Sequence, residues 1–565
     1  MSDTPDRQPA LMLTRSEFVR LGAAAAAARF VVGSGSTGVA RADHGGPGAP
    51  PAALPQHPDL LILVTDQTRE FMHWPDNWVE TYLPNELRLV AKGLTFRRCF
   101  ANAAMCSPSR ATLFTGLYPT QHGVQRTLTY GGSRSGEEVP LSASLPNLAK
   151  MLAATGYHVV LKGKWHLSKH ADGNPPDATD VAAFGFQEWV PTTAGEGLEL
   201  SDFGGGCADN DSDTITQAIQ FLETQKVPGR TTPFCLVVSL ANPHDVLSYP
   251  RTWDSVDPDT GCDNYAQTAQ FNLGISVPPS YDSDDLSLKP TAQAQSLDLY
   301  AAGLGVLTTP QRRHDYVNFL GYLHHLVDGQ IGQLLDALGS LSANTVILRT
   351  SDHGEMGLAH GGLRQKMFNC YEETMRIRMV VSNPQLFPDP VSTDALAALV
   401  DLLPTVAAIA HVAPANVPFH SGVDLTPLFT DPAATIQNVV IFTFDDDQAG
   451  TANGQTTVTQ PNHIRAIRVD DDFGQWKYGR YFDPAGVAAD QIEMYHLVDS
   501  AGAPVDPDEL DNLGNPASPN YVAYQTHRDR LAALLAAVEV DPLGVIHRDG
   551  FEGGATTAWN GGVRP

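Results

Sequence analysis

Five consecutive residues, Cys106, Ser107, Pro108, Ser109 and Arg110, bring together a nucleophile, a helix start and a cation. Pro108 suits a first helical position, where its missing N–H is no loss, and Ser107 is the expected cap of the turn before it. Cys106 then sits at the positive end of a helix dipole. Arg110 follows one turn later on the same face, so backbone N–H groups and a guanidinium favour an anion at position 106. The run reads as an active site.

The elements that must position it are legible as hydrophobic patterns. Continuous apolar runs at 60–64, 157–161, 234–240 and 345–348 have the signature of strands buried on both faces. Helical spacing at 145–155 and 316–338 alternates with them, which predicts a largely parallel sheet flanked by helices. Each apolar run leads into a polar cluster: Asp66 and Gln67; Lys164, Trp165 and His166; Asn242, Pro243 and His244; Asp352, His353, Gly354 and Glu355. The C-terminal strand ends of an open parallel sheet share the edge where ligands bind, so the clusters are expected to converge. Asp66, Gln67, Asp352 and His353 together offer two carboxylates, an amide oxygen and an imidazole, a mostly hard-oxygen set suited to calcium, magnesium or manganese. One Asp after a strand is more often a turn or helix cap, but two pairs in this position point to a metal.

A chain of 565 residues can bury a large core. Its formal net charge of -27 and pI near 4.9 argue against nucleic acid or an anionic membrane as partner. Cys99, Cys106, Cys207, Cys235, Cys262 and Cys370 include no C-x-x-C pair, so neither a zinc ribbon nor a disulfide-dense scaffold is indicated. Residues 1–42 read as an export signal: Arg15 and Arg20 flank a polar stretch, 21–32 is apolar and Ala-rich, and Ala40-Arg41-Ala42 fits a cleavage site. An exported protein, periplasmic or secreted, is expected, and no other segment is long enough to span a bilayer. A Gly/Pro/Ala linker (43–58) precedes a catalytic domain over 59–436. Within it 246–313, rich in Pro, Asp and Ser, is read as an insertion over the site mouth. Short strands at 439–444, 463–469 and 476–481 and a helix at 521–538 suggest a smaller antiparallel unit over 437–540, followed by a Gly-rich tail at 541–565.

The Cys-x-Pro-Ser-Arg run and its continuation Ala111-Thr112-Leu113-Phe114-Thr115-Gly116-Leu117-Tyr118-Pro119 resemble the signature of the formylglycine-dependent type I sulfatases, with Leu117 where the family commonly has Arg. Gly163-Lys164-Trp165-His166-Leu167, Gln365-Lys366 with Tyr371-Glu372-Glu373, and Glu493 to Leu497 extend the resemblance over about 59–515. It implies an α/β fold of the alkaline phosphatase superfamily and a smaller C-terminal α+β unit. It also implies hydrolysis of a small sulfate ester. Cys106 would be oxidised to formylglycine by a formylglycine-generating enzyme and would join Asp66, Gln67, Asp352 and His353 around one divalent ion, calcium ahead of magnesium or manganese. Arg110, Lys164 and Lys366 would oppose the anion's charge, His166 would reach the hydroxyls at position 106, and His244 would protonate the leaving oxygen. Gln67 stands where most sulfatases have a second Asp. With Asp352-His353 it also resembles the choline sulfatase and phosphonate monoester hydrolase branches, so a phosphonate or phosphate ester hydrolase is the nearest rival. A protein that binds sulfated ligands without converting Cys106 is a more distant one. His324 and His360 have no assigned role, and Glu372, Glu373 and Arg376 are read as structural ion pairs.

Overall fold

The computed structural model describes residues 57–131, 134–265, 271–447, 449 and 458–540. The expected export signal, most of the linker and the 541–565 tail lie outside the described residues. Strands β1 (Asp59–Asp66), β2 (Gly93–Phe100), β3 (His158–Gly163), β4 (Phe234–Pro243), β5 (Thr345–Ser351), β6 (Arg376–Ser382), β7 (Val391–Thr393) and β8 (Ala397–Ala398) form one sheet. Its order is β3-β4-β1-β5-β6-β2-β7, with β8 also on β2. The four apolar runs are β3, β4, β1 and β5, adjacent and mutually parallel, and β6 runs against β5 and β2.

Every residue of β1 and β4 is buried, as strands covered on both faces must be. Leu60, Ile62 and Val64 face a core shared with helices α1 (Cys106–Thr115), α2 (Leu148–Ala154) and α6 (Leu402–Ile409). Leu61 and Leu63 face the opposite core, closed by α3 (Asn210–Gln225) and α5 (Pro310–Leu338). The period-two alternation of the strand thus assigns each Leu to its layer.

Two expectations change. Helix α1 begins at Cys106 itself: Met105 is its extended N-cap and no side chain caps it. Ser107 lies inside the helix and its Oγ accepts from the Leu128 N–H at 3.1 Å, so the hydroxyl ties the helix to the next loop instead. The stretch 246–313 is also less irregular than its composition suggests, because it contains α4 (Thr291–Leu304). Ala, Gln and Leu give that segment good helix propensity without the sharp apolar spacing that marks a helix in sequence.

Strands β9 (Val439–Phe444), β10 (His463–Asp471), β11 (Gly474–Phe482) and β12 (Gln491–Asp499) make a four-stranded antiparallel sheet in the order β12-β11-β10-β9, packed on α7 (Gln525–Val540). Phe442, Ile464 and Tyr481 share a core with Phe100, Tyr371 and Met375, so this sheet buttresses the loops beyond β5. Among the described residues no helix is long and apolar enough to cross a membrane.

Gly163 closes β3 with a φ of 86°, and a Cβ there would stand 2.1 Å from the Ser239 carbonyl oxygen. Neither an L side chain nor its volume fits. Gly163→Ala should therefore cost about 2 kcal/mol or more and lower the melting temperature by a few degrees. An unchanged thermal melt would show that the β3–β4 junction yields easily.

Candidate active site

Thr65 and Ser351 are paired across β1 and β5, so the next residues on each strand, Asp66 and Asp352, emerge side by side at the same edge. Both are fully buried. Cys106, at the head of α1, points its Sγ at this pair, 3.5 Å from Asp66 Oδ2 and 3.2 Å from His353 Nε2. His353 Nε2 stands 3.4 Å from Asp66 Oδ1 and 3.6 Å from Asp352 Oδ1. Its Nδ1 donates to the Gly354 carbonyl at 3.1 Å, which leaves Nε2 as the ring nitrogen that faces the carboxylates. The donor atoms of Asp66, Cys106, Asp352 and His353 all lie within 4.8 Å of one another.

Two carboxylates in one dry site need countercharge, and three cations surround them. Lys164 leaves β3 through Gly163, with its backbone N–H on the Ser239 carbonyl, and donates from Nζ to Asp66 and to the Gly195 carbonyl. Arg110 donates from Nε to Asp352 at 2.9 Å and from Nη1 to Ser239 Oγ at 2.7 Å, with Nη2 3.8 Å from Asp66. Lys366 donates to the Gln67 amide oxygen at 2.7 Å.

The electrostatic balance follows. Burial alone would raise the Asp66 carboxyl, but Lys164, with His353 and Lys366, holds it well below the usual range. Burial and the charge on Asp66 push Asp352 up, against His353 and Arg110. For Cys106, burial and Asp66 oppose ionisation, yet Lys164, Lys366 and His353 bring the thiol well below its ordinary value. Burial lowers His353, while Asp352 and Cys106 raise it to a net upward shift. The four-residue set is thus a concentrated anionic site whose hard oxygens and one imidazole fit a divalent cation.

Gln67 is held by its own network. Its backbone N–H donates to Asp352 Oδ1 at 3.1 Å from a left-handed φ of 75°, and its amide nitrogen donates to Glu355 Oε2 at 2.6 Å. Glu355 Oε1 accepts from the Tyr316 hydroxyl at 2.6 Å and the Gln365 N–H at 3.0 Å, so the Gln67 oxygen is turned toward Lys366. Sequence reasoning left Glu355 without a role although it stands within the Asp352–Glu355 cluster. The signal was present, but its partner Tyr316 is distant in the chain.

His166 and His244 complete the site from β3 and β4. His166 Nε2 donates to the Leu128 carbonyl at 2.8 Å, which makes Nδ1 the lone-pair nitrogen, and Nδ1 is buried with no hydrogen-bond partner. His244 opens a short turn that follows β4. Its loop is fixed by Asp211, which accepts from the Ala241 and Asn242 N–H groups, and by Asp245, which accepts from Gly204, Gly205 and Tyr265. Neither carboxylate was singled out from sequence, since their partners are backbone groups from other segments. Burial, with Lys164 and Lys366, keeps His244 well below the ordinary imidazole value. Cys106, His166, His244 and Lys366 line one cavity of about 200 Å³ whose outer wall is supplied by Leu247 and by Leu299 and Leu304 of α4.

The family profile described as Sulfatase matches residues 58–412. The chain belongs to the sulfatase family. Among its relatives are a choline-sulfatase of Rhizobium meliloti, 24% identical over 80% of this chain and 84% of that protein, and the uncharacterized sulfatase YidJ of Escherichia coli, 27% identical over 63% and 68%. Solved structures with the same fold include BT1596, a 2-O GAG sulfatase (TM-score 0.60, 19% identity, 86% of this chain and 93% of that one). A phosphonate monoester hydrolase of Agrobacterium radiobacter is another (TM-score 0.58, 20% identity, 86% and 97%). The sulfatase is therefore a hydrolase with an alkaline-phosphatase-like fold, and the family as a whole implies a metal and a formylglycine.

His324 and His360, the two histidines without an assigned role, have other partners. His324 donates to the Leu320 carbonyl and burial pushes it down to about 3, the mark of a neutral core side chain. His360 stacks on Tyr371 at 3.6 Å, pairs with Asp284 at 2.9 Å and stands 3.6 Å from Glu373. Glu372 pairs with Arg468 and Lys477, and more loosely with Arg376. Burial would lower His360, but Asp284 and Glu373 push it up to about 9. A raised folded value means that the stabilisation is complete below the unfolded value near 6.5 and is lost as pH rises through 9. The span corresponds to about 3 kcal/mol. Between pH 6 and 10 the wild-type melting temperature should fall further than that of His360→Gln, and parallel curves would refute the assignment.

Proposed function

We propose that this sulfatase hydrolyses a small sulfate monoester, with Cys106 converted to formylglycine by a formylglycine-generating enzyme. One divalent ion, calcium ahead of magnesium or manganese, would be held by Asp66, Asp352, His353 and the residue at 106, with Gln67 adjoining. The observation that carries this reading is the convergence of those four donor groups at the buried head of α1, where Cys106 lines the cavity. When present, the ion supplies charge neutralisation to the transferring group and the hydrated aldehyde supplies an oxygen nucleophile.

The protein's own residues do the rest. Lys366 lines the cavity and meets the ester's negative charge, while Lys164 pairs with Asp66 and Arg110 with Asp352. His166 offers Nδ1 as a base, because Nε2 is committed to Leu128. His244 is held neutral in the free protein by burial and two lysines. A bound anion offsets those lysines and so favours the protonated form of His244, the form that would donate to the departing oxygen. Export is part of the proposal, and the disulfide between Cys207 and Cys262 supports it, since such bonds persist in oxidising compartments.

A phosphonate or phosphate ester hydrolase is the second reading, favoured by Gln67 beside Asp352 and His353. Parallel assays decide between them: the aryl sulfate should be turned over faster than the aryl phosphonate, and a phosphonate faster by orders of magnitude would end the first reading. Peptide mass spectrometry on protein from its native source should find an aldehyde at position 106, whereas an intact thiol would point to a non-catalytic binder. Dialysis against a chelator should abolish turnover, with calcium the best restorer. His244→Gln should lower turnover of esters of poorly acidic alcohols about 10²- to 10⁴-fold and affect nitrophenyl sulfate much less. An equal loss on both would remove His244 from the proton-donor role.

A further inference from the structure

The cavity above Cys106 is chemically lopsided. At its floor stand Lys366, His166 and His244, and its wall is largely aliphatic, from Leu198, Leu247, Leu299 and Leu304. A single carboxylate, Glu196, interrupts that wall. The Tyr130 hydroxyl is hydrogen-bonded to this carboxyl, which burial raises against the pull of His166 and Lys164, and Glu196 Oε2 has no partner of its own. The loop that carries it is fixed in place: the Gly195 carbonyl accepts from Lys164, and the Gly195 N–H donates to the Asp202 carbonyl at 2.6 Å. A carboxyl on an aliphatic cavity wall, with one hydroxyl as its side-chain partner, is costly to keep charged unless a ligand in the cavity also donates to it.

We infer that Glu196 is a specificity-determining residue that accepts a hydrogen bond from a hydroxyl or ammonium donor on the alcohol half of the ester and rejects alcohols carrying a second anionic group. The inference rests on the sulfate-ester reading and narrows it to monoanionic esters of small, largely apolar alcohols bearing one donor. Size agrees: a cavity of about 150 Å³ holds benzene, so about 200 Å³ accommodates the sulfate and an alcohol of roughly one ring. A second sulfate or carboxylate on that alcohol would face Glu196 in an aliphatic surround, where like-charge repulsion is poorly screened.

The test uses the mature full-length enzyme at pH 8 with four aryl sulfates: phenyl, and its 4-hydroxymethyl, 4-aminomethyl and 4-carboxylate derivatives. The same four alcohols are also supplied as phosphonate monoesters. The wild type should favour both donor-bearing esters several-fold over phenyl and disfavour the carboxylate at least tenfold in kcat/KM. Glu196→Gln should shrink the carboxylate penalty about tenfold, and Glu196→Asp should retain its sign. Dividing each variant's value by the wild type's for the same ester cancels the substituents' electronic effects. Identical substituent ratios in the wild type and Glu196→Gln would overturn the inference, whichever ester series is hydrolysed faster. A preference for phosphonates with the predicted ratios would overturn only the sulfate reading, and hydrolysis of neither series would overturn both.

Discussion

Asp66 and Asp352 meet fully buried at the edge of a parallel sheet, and this enforced closeness of two like charges governs the site around them. Isolated carboxylates of this kind would neutralise themselves or unfold the region. Lys164, Arg110 and His353 are arranged so that each carboxylate has a direct countercharge, and the split directions of the two acids show how finely the balance is set: Asp66 is held down and Asp352 is pushed up. A site in that condition accepts a cation readily, because added positive charge relieves the repulsion.

Much of the surrounding structure serves to hold these charges in register. Parallel pairing of β3, β4, β1 and β5 delivers Lys164, His244, Asp66 and Asp352 to one edge, and α1 directs its positive end at the same point. The supports lie one layer further out. Glu355 orients Gln67 and through it Lys366, Asp211 and Asp245 clamp the His244 loop, and Ser109 donates to the Asp352 carbonyl. These groups fix rotamers that a long lysine or an amide would otherwise sample freely.

Beyond this core the protein changes character. The buried cations of the site give way to leucines from α4 and neighbouring loops. The antiparallel C-terminal sheet packs against α4 and the loops beyond β5, through the cluster that joins Leu299, Tyr300, Tyr371 and Met375 to Phe442 and Tyr481.

The hydrophobic pattern of the chain was enough to identify the parallel strands, the two-layer helical cover and the residue types at the strand ends, because burial on both faces leaves an uninterrupted apolar run. The Cys106–Arg110 motif and the Asp66 and Asp352 clusters were legible for the same reason, each lying a fixed step beyond a strand or at a helix start. Tertiary structure alone decided who pairs with whom: that Lys164 is bonded to Asp66, that Gln67 is bridged between Lys366 and Glu355, that Ser107 binds the Leu128 N–H instead of capping, and that α4 walls the cavity. Those contacts join segments up to about 300 residues apart in the chain. Local pattern carries periodicity and residue type, whereas a hydrogen bond between distant segments depends on distances that only the packed sheet and helices set.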